Sequence, residues 1–160
     1  SSGIPPREGL IKSRYASRTF MAPREVSRGQ IQITKLQAIA DVMEGRDVCM
    51  IEDSVFRASV APMVVKMSRE HGRARRVHLR VCSPPVCHRC HLGLDTSTKG
   101  ELVASHMTID EIRDTVIHSD SLEYLTVEEL KQVLTELGLS PNDFCLGCFT
   151  GEYPVPPDKD

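Results

Sequence analysis

The segment from Val48 to Met67, VCMIEDSVFRASVAPMVVKM, combines the residue types that an anion-binding site needs. An apolar run from Val48 to Ile51 precedes the acidic pair Glu52 and Asp53, and such a run is typical of a strand covered on both faces. Small and hydroxyl residues come next, and apolar residues then recur at helical spacing from Val60 to Met67. Because the first N–H groups of a helix have no partner within the helix, this junction can bind an anion.

Several side chains of this segment have groups that suit such a site. Ser54 and Ser59 carry hydroxyl groups that can donate a hydrogen bond, and Arg57 carries a positive charge. Carboxylates at a strand end, here Glu52 and Asp53, can accept hydrogen bonds from sugar hydroxyls or approach a hydrated Mg²⁺ ion. The pattern alone leaves a second interpretation open, in which this is an ordinary strand-to-helix connection with solvated acids.

Four of the six cysteines form two C-x-x-C pairs, Cys87 with Cys90 and Cys145 with Cys148. Each pair can present two thiolates to one metal ion once the fold brings the pairs together, and Zn²⁺ is the metal that this pattern usually binds. Disulfides are a weaker interpretation, because nothing marks the chain as secreted.

The neighbouring histidines and the other two cysteines have less distinctive surroundings. His88 and His91 lie beside the paired cysteines and are an alternative source of nitrogen ligands. Cys49 and Cys82 fall in or beside predicted strands, so we expect them to be small buried hydrophobic residues.

The elements around the acidic pair form a pattern of strand, helix and strand. Val77, Leu79 and Val81 alternate with polar residues and predict a strand after the helix, which implies a right-handed parallel crossover. Upstream, residues 9–12 predict a short strand, residues 13–34 have no sustained period and predict a mobile loop, and residues 36–43 predict a short helix.

Two capping boxes mark later helices. Thr108 is followed three positions on by Glu111, and Thr126 by Glu129, so each hydroxyl can cap a helix whose third residue is a glutamate. The apolar face between Val127 and Leu137 is expected to pack in the core, as amphipathic helices usually do.

Length and composition bound the class of protein. With 160 residues, 40% of them hydrophobic, we expect a single partial domain over residues 1–160. Lys and Arg total 20 against 22 Asp and Glu, so we expect no nucleic-acid partner, and no apolar stretch is long enough for a membrane span.

The N-terminus has no signal-peptide core and predicts a cytoplasmic protein. Because the chain begins without methionine, we expect a fragment.

Four ordered motifs, together with the segment 48–71, resemble glutamine phosphoribosylpyrophosphate amidotransferases, also called amidophosphoribosyltransferases. The motifs are GIPPREGLIKSRYASRTF (3–20), SPPVCHRCHLGLDTST (83–98), DEIRDTV (110–116) and FCLGCFTGEYP (144–154). The resemblance spans almost all of the chain. It implies an α/β fold, an incomplete type I phosphoribosyltransferase with a parallel sheet flanked by helices and a cysteine-containing segment at residues 140–160.

The resemblance implies roles for named residues. Residues 48–71 are the phosphoribosyl pyrophosphate motif, in which Glu52 and Asp53 engage ribose hydroxyls or Mg²⁺ and residues 54–60, with Ser54, Arg57 and Ser59, hold the 5′-phosphate. A basic loop closes over the pyrophosphate through Lys12, Arg14, Tyr15 and Arg18. The family converts phosphoribosyl pyrophosphate and glutamine-derived ammonia to phosphoribosylamine in purine synthesis, and we do not expect catalysis by this chain alone.

For the cysteines, the resemblance implies a [4Fe–4S] cluster rather than Zn²⁺. The matching ligands are Cys90, Cys145 and Cys148, with a fourth from a region upstream of this chain. Cys87 is not a family ligand, and we hypothesise that it completes a four-thiolate site for zinc or a cluster. The glutaminase domain of the family is missing here, and the intact protein is expected to be a homo-oligomer.

Several positions depart from the family pattern. Glu52, Ala58, Ser59 and Val60 stand where the family usually has aspartate, glycine and two threonines. Ile33 and Ala40 stand where arginines are common, and Ser13 and Ser17 replace an asparagine and a glycine. If Ala58 needs a left-handed backbone, its Cβ costs about 1 to 2 kcal/mol. Two hypotheses follow: part of an active amidophosphoribosyltransferase, or a diverged, non-catalytic relative with a metal-binding or structural role.

Overall fold

A computed structural model describes residues 3–12, 36–93 and 99–155 of the chain. The loop predicted over residues 13–34 lies outside these ranges, and with it Arg14, Tyr15 and Arg18. The last residues of the tail, 156–160, also lie outside them.

The described strands form two sheets. Strands β1 (Leu10–Lys12) and β2 (Leu36–Ala38) pair antiparallel, with Ile11 opposite Gln37. The other three strands form a parallel sheet in the order β3, β4, β5, with the bounds Asp47–Glu52, Arg76–Val81 and Ser121–Tyr124. The predicted strands near residues 9–12, 48–51 and 77–81 are therefore confirmed.

Helices connect the strands of the parallel sheet. The α-helices are α1 (Ala40–Met43), α2 (Ala61–Glu70), α3 (Ile109–Glu111), α4 (Val127–Glu136) and α5 (Gly147–Thr150). Helix α3 continues as a π-helical segment (Ile112–Ile117), and short 3₁₀ turns cover Lys99–Glu101, Val103–Ser105 and Pro141–Asp143. Among the described residues, no helix has the length and apolar character needed to cross a lipid bilayer.

The core lies between the parallel sheet and helix α2 with the π-helical segment. Alternate residues of β4 face it and are nearly inaccessible to solvent, as their period of two predicts. Helix α2 contributes the side that includes Val64 and Val65, and the π-helical segment contributes Ile112 and Ile117. Val55 and Ala58, in the loop before α2, are also buried, so this loop is anchored in the core.

Both predicted capping boxes are present. Thr108 Oγ1 accepts a hydrogen bond from Glu111 N at 3.2 Å, and Thr126 Oγ1 accepts one from Glu129 N at 3.1 Å. Each glutamate carboxylate in turn accepts a hydrogen bond from the backbone N–H of its threonine at 2.8 Å. These reciprocal bonds satisfy N–H groups that a helix start otherwise leaves without partners, so both helices begin where the sequence predicts.

Asp120 links strands β4 and β5 where their parallel pairing begins. Its backbone N–H donates to Val77 O at 2.8 Å, and its Oδ2 accepts from Val77 N at 2.7 Å. The same oxygen accepts from Arg69 of helix α2 at 2.7 Å. The Asp120 side chain therefore supplies the acceptor for the backbone N–H of Val77, a residue that is 0% exposed.

Two predictions about the parallel sheet are wrong, and both concern the face opposite helix α2. Strand β3 alternates between exposed and half-buried residues, and Ile51 is 65% exposed, so the prediction of a strand covered on both faces is wrong for the described residues. Cys49 and Cys82 are exposed rather than buried. Helix α2 and the π-helical segment pack against one face only, and the other face presents Cys49 and Ile51.

Two helix predictions also need correction. Residues 36–43 contain strand β2 followed by helix α1, because the first three residues pair with β1. The apolar face of α4 does not enter the core: no residue of α4 is buried, Val133 is 43% exposed, and Leu137, which follows the helix, is 69% exposed. An amphipathic pattern defines the apolar face of a helix but does not specify what covers it.

Candidate functional site

The acidic pair lies at the carboxyl end of β3, where the parallel strands end together. Glu52 is half-buried and Asp53 is exposed. Asp53 Oδ1 accepts hydrogen bonds from Ser54 N at 2.6 Å and from Ser54 Oγ at 3.3 Å. Burial, and to a lesser extent the charge of Asp53, raise the pKa of Glu52. The pair can therefore accept hydrogen bonds and hold a cation, at the sheet edge where α/β proteins bind ligands.

The loop after the acidic pair contains a residue with a left-handed backbone. Ala58 has a φ of 48°, in the left-handed region, so the backbone expected to favour glycine is present. Ala58 is also buried, whereas Ser59 is exposed. Val60 precedes helix α2 without a side-chain cap, and Pro62 lies in the first turn. Val60 therefore offers no side-chain acceptor to the first turn, Pro62 has no N–H, and Met63 N donates to Val60 O at 3.1 Å.

Arg57 is paired with a residue that the sequence pattern did not single out. Arg57 Nε lies 2.7 Å from Glu101 Oε2, and the two side chains are 46% and 44% exposed. Close by, Val103 N donates to Phe56 O at 3.0 Å. Glu101 stands in a polar stretch far from the motif, and no period or capping signal in the sequence marks it.

The acidic pair suits Mg²⁺ in the type and number of its donors. Mg²⁺ commonly binds one or two carboxylates together with substrate phosphates and water. Glu52 and Asp53 provide two such carboxylates at the mouth of the loop. Within the described ranges, no three His, Cys, Asp or Glu side chains form a group that could hold a metal by themselves. A magnesium ion here would therefore depend on phosphate oxygens of a ligand.

Lys12 is the member of the predicted basic loop that lies in the described part of the chain. It ends strand β1 and is exposed. Its partners in that prediction, Arg14, Tyr15 and Arg18, lie outside the described residues, so the closure of the loop over a ligand stays a prediction.

The fold brings the two C-x-x-C segments together. Cys87 N and His88 N both donate to Cys148 O at 3.0 Å. Tyr153 O–H donates to Arg89 O, which ties the residues after α5 to the first segment. Gly147 permits this contact, because a Cβ there would collide with the Tyr153 ring. Segments far apart in sequence therefore share one site.

The Cys148 thiol lies within the electrostatic influence of two other cysteines. Burial raises the pKa of Cys148, and the charges of Cys90 and Cys145 raise it further. Cys90 Sγ also accepts a hydrogen bond from Leu92 N at 3.4 Å. The donor type suits iron or zinc, but Cys90, Cys145 and Cys148 do not form a group that could hold a metal, as is true of every set of three His, Cys, Asp or Glu side chains among the described residues.

Cys87 has different surroundings from these three thiols. Its thiol points towards Pro85 O, at 3.6 Å, and the pKa of Cys87 is raised by burial alone. A Cys87 charge acts instead on Tyr124, whose pKa burial raises to about 12 with a smaller contribution from Cys87. The role of Cys87 as a fourth ligand stays a prediction.

The two neighbouring histidines make packing contacts. The His91 ring lies edge-on to Tyr153, with a centroid distance of 5.1 Å. The His88 ring lies close enough to Gly151 that an added Cβ would be 3.1 Å from it. The role of either ring as a nitrogen ligand stays a prediction.

Comparison with known proteins places these sites in a wider context. No protein-family model matches the chain. The chain is 40% identical over 159 residues to amidophosphoribosyltransferase 2, chloroplastic, of Arabidopsis thaliana, covering 99% of this chain and 28% of that protein. It is 44% identical over 159 residues to the amidophosphoribosyltransferase of Bacillus subtilis, covering 97% of this chain and 32% of that protein.

Two solved structures share the fold. The structure described as that of the allosteric regulatory enzyme of purine biosynthesis has a TM-score of 0.80 and 42% identity, over 99% of this chain and 34% of its own. Glutamine phosphoribosylpyrophosphate amidotransferase from B. subtilis, complexed with ADP and GMP, has a TM-score of 0.77 and 41% identity, over 95% of this chain and 33% of its own. The chain therefore spans about a third of the length of the relatives it matches.

Proposed function

We propose that this chain, a homologue of one segment of the amidophosphoribosyltransferases, binds phosphoribosyl pyrophosphate as part of an enzyme that makes phosphoribosylamine. In this reaction the bond between the anomeric carbon and pyrophosphate breaks, and a bond from that carbon to the nitrogen of ammonia forms. The newly bonded nitrogen then loses a proton. Glutamine is the source of the ammonia. The reaction belongs to purine synthesis and makes the complete protein a glycosyltransferase.

One observation carries the proposal: an acidic pair at the end of a central parallel strand leads through a left-handed residue into an uncapped helix. Glu52 and Asp53 supply the carboxylates, and Ala58 supplies the left-handed turn at a φ of 48°. Helix α2 begins without a side-chain cap, Pro62 has no N–H and Met63 N donates to Val60 O at 3.1 Å, so the N–H of Ala61 and those of the preceding loop are the donors proposed for the phosphate. These features lie in a chain with about 40% identity to amidophosphoribosyltransferases, which supports phosphoribosyl pyrophosphate over other anions.

In this proposal each part of the site binds one part of the ligand. Residues 54–60, with Ser54, Arg57 and Ser59, surround the 5′-phosphate, and the carboxylates of Glu52 and Asp53 accept hydrogen bonds from the ribose hydroxyls. Mg²⁺ at the same carboxylates would neutralise charge on the pyrophosphate. Lys12 and the basic residues that follow it close over the pyrophosphate, because cations stabilise a departing anion best once water is expelled.

The cysteine site is proposed as a structural metal site. Cys90, Cys145 and Cys148 would hold a [4Fe–4S] cluster, with the fourth ligand outside this chain or from Cys87. Zn²⁺ is the alternative metal. The hydrogen bonds from Cys87 and His88 to Cys148 O support a role in joining the two segments, which a metal would reinforce.

The rest of the protein enters as further proposals. A glutaminase domain outside this chain would supply ammonia, and the intact protein would be a homo-oligomer. The single partial domain over residues 1–160, with its motif at 48–71 and its cysteine segment at 140–160, would act within that assembly. The cytoplasmic location stays a prediction, since some relatives are named as chloroplastic.

Calorimetry of the chain with phosphoribosyl pyrophosphate and Mg²⁺ tests the proposal. We expect saturable binding that weakens when Mg²⁺ is chelated and that is lost in Asp53→Asn. Asp143→Asn is the matched control, because Asp143 is exposed and lies in the 3₁₀ turn Pro141–Asp143. No heat and no thermal shift at millimolar ligand would instead favour the diverged, non-catalytic relative.

A further inference from the structure

The segment from Lys99 to Ser105 holds the predicted phosphate loop in place. Val103 N donates to Phe56 O at 3.0 Å, and Glu101 Oε2 lies 2.7 Å from Arg57 Nε. Between these two contacts, Leu102 is 2% exposed and anchors the segment in the protein interior. Two consecutive residues of the loop are therefore bonded to the same segment, one through its backbone and one through its side chain.

The loop needs such support because its own chemistry does not define its shape. Ala58 has a left-handed backbone that glycine adopts more easily. Helix α2 begins without a side-chain cap, so Val60 contributes its backbone carbonyl to the junction but no side-chain hydrogen bond. Contacts from elsewhere in the chain must therefore select the loop conformation.

We propose that Glu101 is a positioning residue for Arg57, which rests on the proposed binding of phosphoribosyl pyrophosphate at this loop. A guanidinium is a planar fork of donors, so a carboxylate bonded at Nε fixes the plane of that fork. The Arg57 side chain is 46% exposed and remains accessible to an anion. Glu101 orders Arg57 before the ligand arrives, and this lowers the entropy lost on binding.

Charge alone gives the opposite expectation. Glu101 places a negative charge beside a loop that is to bind a phosphate, and like charges repel. Removing that charge should therefore tighten binding if Glu101 acts only through the electrostatic field. Weaker binding after its removal is the signature of positioning.

A double-mutant cycle on the full chain tests the inference, with calorimetry against phosphoribosyl pyrophosphate and Mg²⁺. We expect Glu101→Gln to weaken binding about threefold to tenfold. Arg57→Ala should weaken binding at least as much, and the double variant should bind no more weakly than Arg57→Ala. Glu70→Gln is the matched control, since it removes the same charge from an exposed pair with Lys66 at 3.8 Å and should leave binding unchanged.

A conservative variant guards against a folding defect. Glu101→Asp keeps the carboxylate on a shorter side chain, so its binding should fall between the wild type and Glu101→Gln, and circular dichroism should show every variant folded. Should Glu101→Gln fail to fold, weaker binding by a folded Glu101→Asp would carry the same conclusion.

The possible outcomes separate this inference from the proposed function. If the wild type binds and Glu101→Gln binds equally or more tightly, Glu101 does not position Arg57 and the proposed function stands. Additive losses in the double variant would overturn the inference in the same way, because Glu101 would then act independently of Arg57. A wild-type chain that binds no phosphoribosyl pyrophosphate would refute the proposed function, and this inference with it.

Discussion

Replacing Asp120 by alanine should destabilise the chain through one backbone N–H group. Asp120 Oδ2 accepts from Val77 N at 2.7 Å and from Arg69 Nη2 at 2.7 Å. Val77 is 0% exposed with the carboxylate in place, so Asp120 is the acceptor for its N–H in the native fold and alanine removes that acceptor. The Arg69 pair is different, because its side chains are 39% and 31% exposed.

The two contacts differ in expected cost. A buried N–H left without a partner costs about 1 to 3 kcal/mol, and an exposed ion pair contributes about 0.2 to 1 kcal/mol. We therefore expect Asp120→Ala to lower the free energy of unfolding by about 2 to 3 kcal/mol. For a chain of this size, each kcal/mol lowers the melting temperature by about 2 to 4 °C, so the shift should be about 5 to 10 °C.

Urea and thermal unfolding of three variants can separate the contacts. Asp120→Asn keeps an oxygen for the Val77 N–H and loses the charge, so it should cost about 1 kcal/mol. Arg69→Met keeps an apolar stem and should cost no more than about 1 kcal/mol. If Arg69→Met costs as much as Asp120→Ala, the carboxylate acts through the ion pair and the reasoning is wrong.

The pH dependence gives an independent check on Asp120. Burial acts to raise the pKa of Asp120, but hydrogen bonds from Val77 N and Arg69 outweigh burial, so the pKa is lowered from 3.8. Because the folded pKa lies below the unfolded one, the carboxylate stabilises the fold above about pH 4, and this stability is lost as pH falls through the folded pKa. The stability difference between wild type and Asp120→Asn should therefore shrink below about pH 4. A difference independent of pH would contradict this account.

Three further predictions concern a cap, the left-handed turn and the thiols. Thr126→Ala should lower the free energy of unfolding by about 1 kcal/mol, because the helix loses its cap. Thr135→Ala, inside the same helix, should change it by less than about 0.5 kcal/mol. Equal costs for the two variants in urea unfolding would contradict this prediction. Ala58→Gly gains about 1 to 2 kcal/mol by relieving the left-handed backbone and loses a similar amount in methyl burial and chain entropy. Its melting temperature should therefore stay near that of the wild type, and a clear fall in thermal unfolding would contradict this balance. After anaerobic reconstitution, metal analysis should find iron or zinc in Cys49→Ser but not in Cys148→Ser. Full metal content in Cys148→Ser would rule out Cys148 as a ligand.

The sequence was most informative where structure depends on neighbouring residues. The capping boxes at Thr108 and Thr126 were predicted because capping partners stand three positions apart in every helix that uses them. Strand β4 was predicted because a strand with one buried face must alternate. The left-handed backbone at Ala58 was inferred from the resemblance, which supplied the expectation of glycine at that position.

Expectations failed where burial depends on what lies opposite an element. Cys49 and Ile51 belong to an apolar run, yet the packed helices cover the other face of the sheet. Leu137 lies on the apolar side of an amphipathic helix and is 69% exposed. A periodic pattern records which face of an element is apolar, and it contains no information about the element that packs there.

By itself, therefore, the sequence determined the acidic pair, the loop, the helix after it and the two cysteine pairs, because each is a feature of consecutive residues. Only the tertiary structure decided that Glu101 bonds Arg57, that Asp120 completes the hydrogen bonding of Val77, and that Cys148 O joins the two cysteine segments. The physical reason is that these contacts join residues distant in the chain. Their geometry depends on the path of the whole backbone, which no local spacing records.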